Sequence, residues 1–196
     1  MLVGGMKRIA VLLMFFAACG YAEVSGTSLL RSDRALALSA CEQKFRGCKT
    51  CKTDLSACTQ CKPNQATSAT AAYKSYALKD GRCVMTVNRP WYFAPAAMPV
   101  INLLAGDKVK FIWADSNPHN VWKVPSATCD LSATGAKQLY PSAAGTTATA
   151  SGTTVPKFNT GPLAAGTYYY ACGVGSGYHC SSGFMKVKVV VAALPA

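Results

Sequence analysis

Thr167-Tyr168-Tyr169-Tyr170-Ala171-Cys172-Gly173-Val174-Gly175-Ser176-Gly177-Tyr178-His179 begins as a strand and ends as a loop. Its first half is made of residues that fit a pleated, half-buried surface, and glycines break its second half. Met185-Lys186-Val187-Lys188-Val189-Val190-Val191 is a second run of strand type shortly downstream. Upstream, Val100-Ile101-Asn102-Leu103-Leu104 is a strand candidate opened by Pro99 and closed by Ala105-Gly106-Asp107. Val109, Phe111 and Trp113 then alternate with Lys108, Lys110, Ile112 and Ala114, the pattern of a half-buried strand. Val121 and Val124 continue it after His119. Repeated short strands broken by Gly, Pro and Asn predict a mainly β chain, folded as an antiparallel sandwich.

The chemistry gathers at the ends of these runs. The chain has only two histidines, His119 and His179, and Cys172 lies between them. Met185 follows at the start of the last strand-like run. One thiolate, two imidazoles and a distant thioether are the ligand set of a mononuclear type 1 copper site, a trigonal Cys–His–His plane with a weak axial Met. A lone His or a lone Met is ordinarily a structural residue, and an unpaired Cys is often a small buried hydrophobe. It is the ordered combination that points to a metal. Tyr168, Tyr169, Tyr170 and Trp113 are read as sandwich core and surface, with no cofactor role.

Cysteine arithmetic bears on the same thiol. Of ten cysteines, Cys19 falls in the N-terminal segment discussed below, leaving nine, an odd number. In an oxidising compartment an odd cysteine means an intermolecular bridge or a thiol with another task. Cys41, Cys48, Cys51, Cys58, Cys61 and Cys83 cluster early and can pair among themselves, with about fifteen pairings open. Cys129 and Cys180 can pair, which leaves Cys172 free. The spacing Cys48-x2-Cys51-x6-Cys58-x2-Cys61 would suit zinc in a reducing compartment. Disulfides are expected instead, because residues 1–22 read as a secretory signal.

In that signal, Lys7 and Arg8 form the charged region, Ile9 to Ala18 the apolar stretch, and Gly20-Tyr21-Ala22 a small-residue cleavage site. The apolar stretch is too short to span a bilayer. Phe16-Ala17-Ala18-Cys19 only loosely matches a lipoprotein cleavage site, since Phe stands where Leu is usual. The closing run Val189 to Ala196 has no polar spacer before it and reads as a final core strand, so no membrane or lipid anchor is expected. No Asn-x-Ser/Thr sequon occurs. Residues 23–40 read as a linker, 41–83 as a disulfide-rich module and 84–196 as the sandwich domain. The small polar stretch 142–154 reads as an insertion without chemistry. The net charge is +12, and removing Lys7 and Arg8 leaves 18 basic against 8 acidic residues, or +10. The basic residues are scattered without an aromatic stripe, which excludes a nucleic-acid partner and leaves acidic redox partners or acidic polymers.

Gly106-Asp107-Lys108-Val109-Lys110-Phe111-Ile112-Trp113, His119-Asn120-Val121, Cys129, Gly166 to Gly173, and His179-Cys180-Ser181-Ser182-Gly183-Phe184-Met185-Lys186 together resemble a phytocyanin domain. Phytocyanins are the plant branch of the cupredoxins, and the resemblance, which extends to plastocyanin-like domains, runs through residues 84–192. It implies a Greek-key β-sandwich holding one copper on His119, Cys172, His179 and Met185. It also implies a bridge between Cys129 and Cys180, and backbone hydrogen bonding at Asn120 that reaches the Cys172 sulfur. Electron entry is expected at the His179 edge. Two departures stand out. The loop from Cys172 to His179 is longer than the family's, and the family's Gly-Met-Lys is here Gly183-Phe184-Met185-Lys186, so Phe184 competes with Met185 for the axial place. Residues 41–83 resemble the furin-like, growth-factor-receptor type of cysteine-rich repeat through Cys48-Lys49-Thr50-Cys51, Cys58-Thr59-Gln60-Cys61 and Asp80-Gly81-Arg82-Cys83.

The expectation is therefore a secreted electron carrier of the extracellular space or cell wall, and not an enzyme. With no third histidine there is no basis for the further copper sites of an oxidase. The competing class is a non-redox interaction protein in which the cysteine-rich module and basic surface dominate and copper is structural or sequestered. Zinc at the same residues is chemically open but less natural for one thiolate with a distant methionine.

Overall fold

Val109 and Phe111 are fully buried while Lys108, Lys110 and Ile112 are only partly covered, so the alternation expected of this segment is realised. The computed structural model describes residues 40–65, 72–141, 144–147 and 155–195. The signal segment 1–22, the linker up to residue 39 and most of 142–154 lie outside the described residues.

Eleven strands are seen among the described residues. β1 (Cys48–Cys51) and β2 (Cys58–Cys61) form a small hairpin. β3 (Tyr73–Lys79), β4 (Arg82–Pro90), β6 (Lys108–Ile112) and β9 (Lys157–Asn159) make a four-stranded sheet in the order β3-β4-β6-β9. β5 (Ile101–Leu104), β7 (Val121–Val124), β8 (Lys137–Tyr140), β10 (Gly166–Ala171) and β11 (Lys186–Ala192) make a five-stranded sheet in the order β5-β11-β10-β7-β8. Met85, Val87, Val109 and Phe111 from the first sheet meet Leu103, Val121, Tyr170, Val187, Val189 and Val191 from the second in one apolar cluster. The two sheets pack as a Greek-key β-sandwich, preceded by a small disulfide-rich module.

The expectation of a purely antiparallel sandwich is corrected. β4 pairs with β6 in parallel, and so does β11 with β5. The physical reason is the route of the chain, which leaves β4, visits the opposite sheet as β5 and returns as β6. Two strands of one sheet joined by such a crossover run the same way.

Inside the sandwich, Trp91, Phe111 and Trp113 are essentially sealed from solvent. The Trp91 and Phe111 rings meet edge to face at 4.7 Å. Burying each such side chain contributes about 2–3 kcal/mol. The tight turn between β5 and β6 is held by Asp107, which is 1% exposed. Its carboxylate accepts the N–H of Met85 and the N–H of Leu104, each at 2.8 Å, and pairs with Arg46 from the cysteine-rich segment. One buried anion thus ties both sheets to the module.

The six early cysteines form the bridges Cys41–Cys51, Cys48–Cys58 and Cys61–Cys83, so the zinc alternative for their spacing finds no free thiolate. Cys83 lies on β4, and the division drawn between 83 and 84 falls inside that strand. The four-stranded sheet starts earlier, at Tyr73, because Asp80 and Gly81 close a two-residue hairpin between β3 and β4. Both take positive φ, 50° and 70°, as a turn matched to strand twist requires.

Candidate metal centre

Three strand ends abut at one end of the five-stranded sheet. Ala171, the last residue of β10, pairs with Trp122 near the start of β7 and with Lys186 at the start of β11. The neighbours just beyond these ends are Cys172, the His119-Asn120 pair and Met185. His179 completes the group from a short helix, Tyr178–Ser181, set in the glycine-rich loop. The ladder hydrogen bonds that build the sheet therefore also bring the predicted residues together.

His119 Nδ1 and His179 Nδ1 lie 3.2 Å apart. Cys172 Sγ is 3.8 Å from the first and 3.6 Å from the second. A point equidistant from the three atoms falls roughly 2 Å from each, within the range of transition-metal bonds to nitrogen and sulfur. His119 and Cys172 are wholly buried and His179 is 9% exposed. Among the described residues Cys172 is the one cysteine outside a bridge, since Cys129 and Cys180 are joined. One soft thiolate with two imidazoles is a donor set that fits copper.

Met185 is fully buried in the apolar cluster that contains Cys172, whereas Phe184 is 37% exposed. Phe184 takes a positive φ of 52°, which turns the chain just before Met185. The Met185 backbone closes the site on two sides. Its C=O accepts the Cys172 N–H at 2.9 Å, and its N–H donates to the His179 C=O at 3.0 Å.

Asn120 acts as expected and does more. Its backbone N–H, with that of Val174, hydrogen-bonds the Cys172 sulfur. Its side-chain oxygen accepts the Gly173 N–H at 2.6 Å, and its C=O accepts the Trp91 indole N–H at 2.9 Å. The two ligand loops are thereby fastened to each other and to the core. Burial pushes the Cys172 thiol above its usual range and the Asp115 charge adds to this, while the Asn120 and Val174 N–H groups oppose it. Burial pulls the His179 imidazole below its usual value, His119 adds to that, and Asp115 opposes it.

Sequence reasoning missed two side chains here. Asp115 Oδ2 lies 2.9 Å from His119 Nε2. With the Nε2 proton directed at that carboxylate, the lone pair at Nδ1 faces the site. The placement of Asp115 four residues before His119 was the available signal. Phe93 had none, being far upstream. Its ring meets His179 edge-on at 4.5 Å and His119 at 5.9 Å. A Cβ on Gly183 would come within 2.1 Å of the Phe93 ring, so glycine is needed for Phe93 to lie there.

The sequence model of one family, described as "Copper binding proteins, plastocyanin/azurin family", matches residues 85–192. The chain belongs to that family. Among solved structures, this cupredoxin is similar to a reduced single-site mutant of amicyanin, with 21% identity over 66% of this chain and 99% of that one and a TM-score of 0.30. It is similar to a purple cupredoxin from Nitrosopumilus maritimus at 17% identity, covering 51% of this chain and 90% of that one, TM-score 0.30. A copper nitrite reductase from Nitrosomonas europaea shows 17% identity over 62% of this chain and 39% of its own length, TM-score 0.30. No curated protein matches the chain. As a member of the family, this cupredoxin is a copper-binding protein of the electron-carrier type.

Proposed function

We propose that this cupredoxin is a secreted electron carrier with a single type 1 copper held by His119, Cys172 and His179, with Met185 as the axial thioether. The observation that carries the reading is the convergence of Cys172 Sγ with two Nδ1 atoms, all within 4.8 Å of one another. The bound ion would supply a one-electron couple. The protein supplies a fixed geometry for it, through the Asn120 bonds across the loops, the Asp115 contact behind His119 and the Met185 backbone bonds. A donor set that cannot rearrange keeps the reorganisation of electron transfer small. Electrons would pass at His179, against which the exposed rings of Phe93 and Tyr178 pack.

The finer branch we infer is phytocyanin-like, supported by the Cys129–Cys180 bridge beside His179. The furin-like assignment of the cysteine-rich segment is supported by its three local bridges alone. Four disulfides favour an extracellular or cell-wall location, and no described helix is long and apolar enough to cross a membrane. The basic surface favours an acidic redox partner protein or acidic cell-wall polymers over nucleic acid. A role as carrier, not as an enzyme, fits a chain with no third histidine.

The deciding measurement is the visible spectrum of the copper-loaded protein. An intense thiolate-to-copper band is expected, and Cys172→Ser should abolish it; a band that survives the substitution would refute the ligand assignment. Met185→Leu should keep the band and shift the reduction potential. An unchanged potential would remove Met185 from the axial place.

A further inference from the structure

A cavity of about 380 Å³ lies away from the metal centre, where the cysteine-rich segment meets the turn between β5 and β6. Its volume is within the range of small-molecule sites. Phe45, Leu104, Leu194 and Pro195 give it an apolar wall. Lys44, Arg46 and Arg82 also line it, against a single acid, Asp107.

These charges do not cancel. Asp107 is already engaged by the Met85 and Leu104 N–H groups and by Arg46. Arg82 pairs with no acid among the described residues, and its one hydrogen bond goes from Nη2 to the Ala105 C=O at 2.9 Å. The cavity therefore carries two positive charges in excess. The Arg82 guanidinium is also held in place by the backbone beneath it. Gly106 has φ 90°, and a Cβ there would come within 2.1 Å of Arg82 Nη2. Only glycine satisfies both the turn and the close approach. Burial lowers the Arg46 guanidinium, with Tyr76 opposing and Arg82 adding to the effect.

We propose that this cavity is a binding site for a small organic carboxylate, its anionic head taken by the Arg82 guanidinium with Lys44 at the rim, and its apolar body packed on Phe45, Leu104 and Leu194. A planar guanidinium with free N–H groups matches a carboxylate in two parallel hydrogen bonds. A bare inorganic anion would leave the apolar wall wet, and a neutral apolar molecule would leave the half-buried Arg82 without an acidic partner. The site is independent of the metal and uses none of its ligands.

Titration calorimetry of the full chain with 3-phenylpropionate, 3-phenylpropan-1-ol and acetate separates these contributions. The acid should bind about tenfold or more tightly than either the alcohol or acetate, since a hydrogen bond to a charged group is involved. Arg82→Gln should weaken the acid by a similar factor without affecting the alcohol, and Arg82→Lys should fall between. Equal binding of acid and alcohol, or an Arg82→Gln variant that binds as the parent does, would overturn the proposal. If Arg82→Gln does not fold, Lys44→Glu on the exposed rim decides: weaker binding of the acid supports the site, and unchanged binding overturns it.

Discussion

His119 is fixed from behind as well as in front. Its Nε2 meets Asp115 at 2.9 Å, its N–H donates to the Thr146 C=O at 2.9 Å, and the Trp113 indole N–H donates to the same oxygen at 2.8 Å. The carboxylate selects which ring nitrogen carries the proton, and a histidine free to choose would present Nδ1 only part of the time. Asp115→Ala is therefore expected to weaken copper binding about 10–100-fold while leaving the thiolate band in place. Asp115→Asn, which keeps an acceptor but loses the charge, should lie between. Competition with a chelator of known affinity measures this, and equal affinity in all three proteins would mean that the contact does not orient the ligand. The candidate ligands were legible in the sequence because they are few and placed in order: His119, Cys172 and Met185 flank strands, and His179 falls in the glycine-rich loop between the last two. Phe93 was not, because its proximity to His179 is created only when the chain before β5 folds across Gly183.

At the level of elements, the strands with clean apolar alternation were found where expected, and those without it were not. β8 and β9 are short, partly buried edge strands, and neither Lys137–Tyr140 nor Lys157–Asn159 has an apolar–polar alternation long enough to announce it. The β3–β4 hairpin is a different case. Asp80-Gly81 between strand-forming runs is a strong hairpin signal, yet the same residues also fit a cysteine-rich repeat through Cys83. The structure satisfies both, since Cys83 sits on β4 and bridges to Cys61. Gly81 has φ 70°, and a Cβ there would stand 2.9 Å from the Ala57 Cβ. Backbone strain and a clash with the first hairpin would then act together, so Gly81→Val should destabilise the protein by about 2–3 kcal/mol. Denaturant unfolding reads this directly. A loss below about 0.5 kcal/mol, the range of ordinary surface changes, would show that the hairpin turn tolerates a side chain.

Over the whole molecule, the two sheets share a core in which one ionisable group is held neutral. Tyr170 lies on β10, 2% exposed, with its ring 5.3 Å from that of Phe111. Its phenol is pushed up from 10.0 to about 12, first by burial and then by neighbouring Tyr168. A phenol whose folded value is raised favours the native state while it stays protonated. That contribution is fully present below about pH 10, where the unfolded phenol is still neutral, and it is lost as pH rises through the folded value. Two units correspond to something on the order of 2–3 kcal/mol. Because the core joins both sheets, the loss should appear as a single cooperative drop in global stability and not as local fraying. Denaturation at about pH 9 and about pH 11, on either side of the unfolded phenol's value, tests it by comparing the parent with Tyr170→Phe, which cannot ionise at that position. The parent should lose more stability over this interval than the variant. Equal losses in the two proteins would mean that the Tyr170 phenol is hydrated in the folded state and that the sandwich is less tightly closed around β10 than its packing indicates.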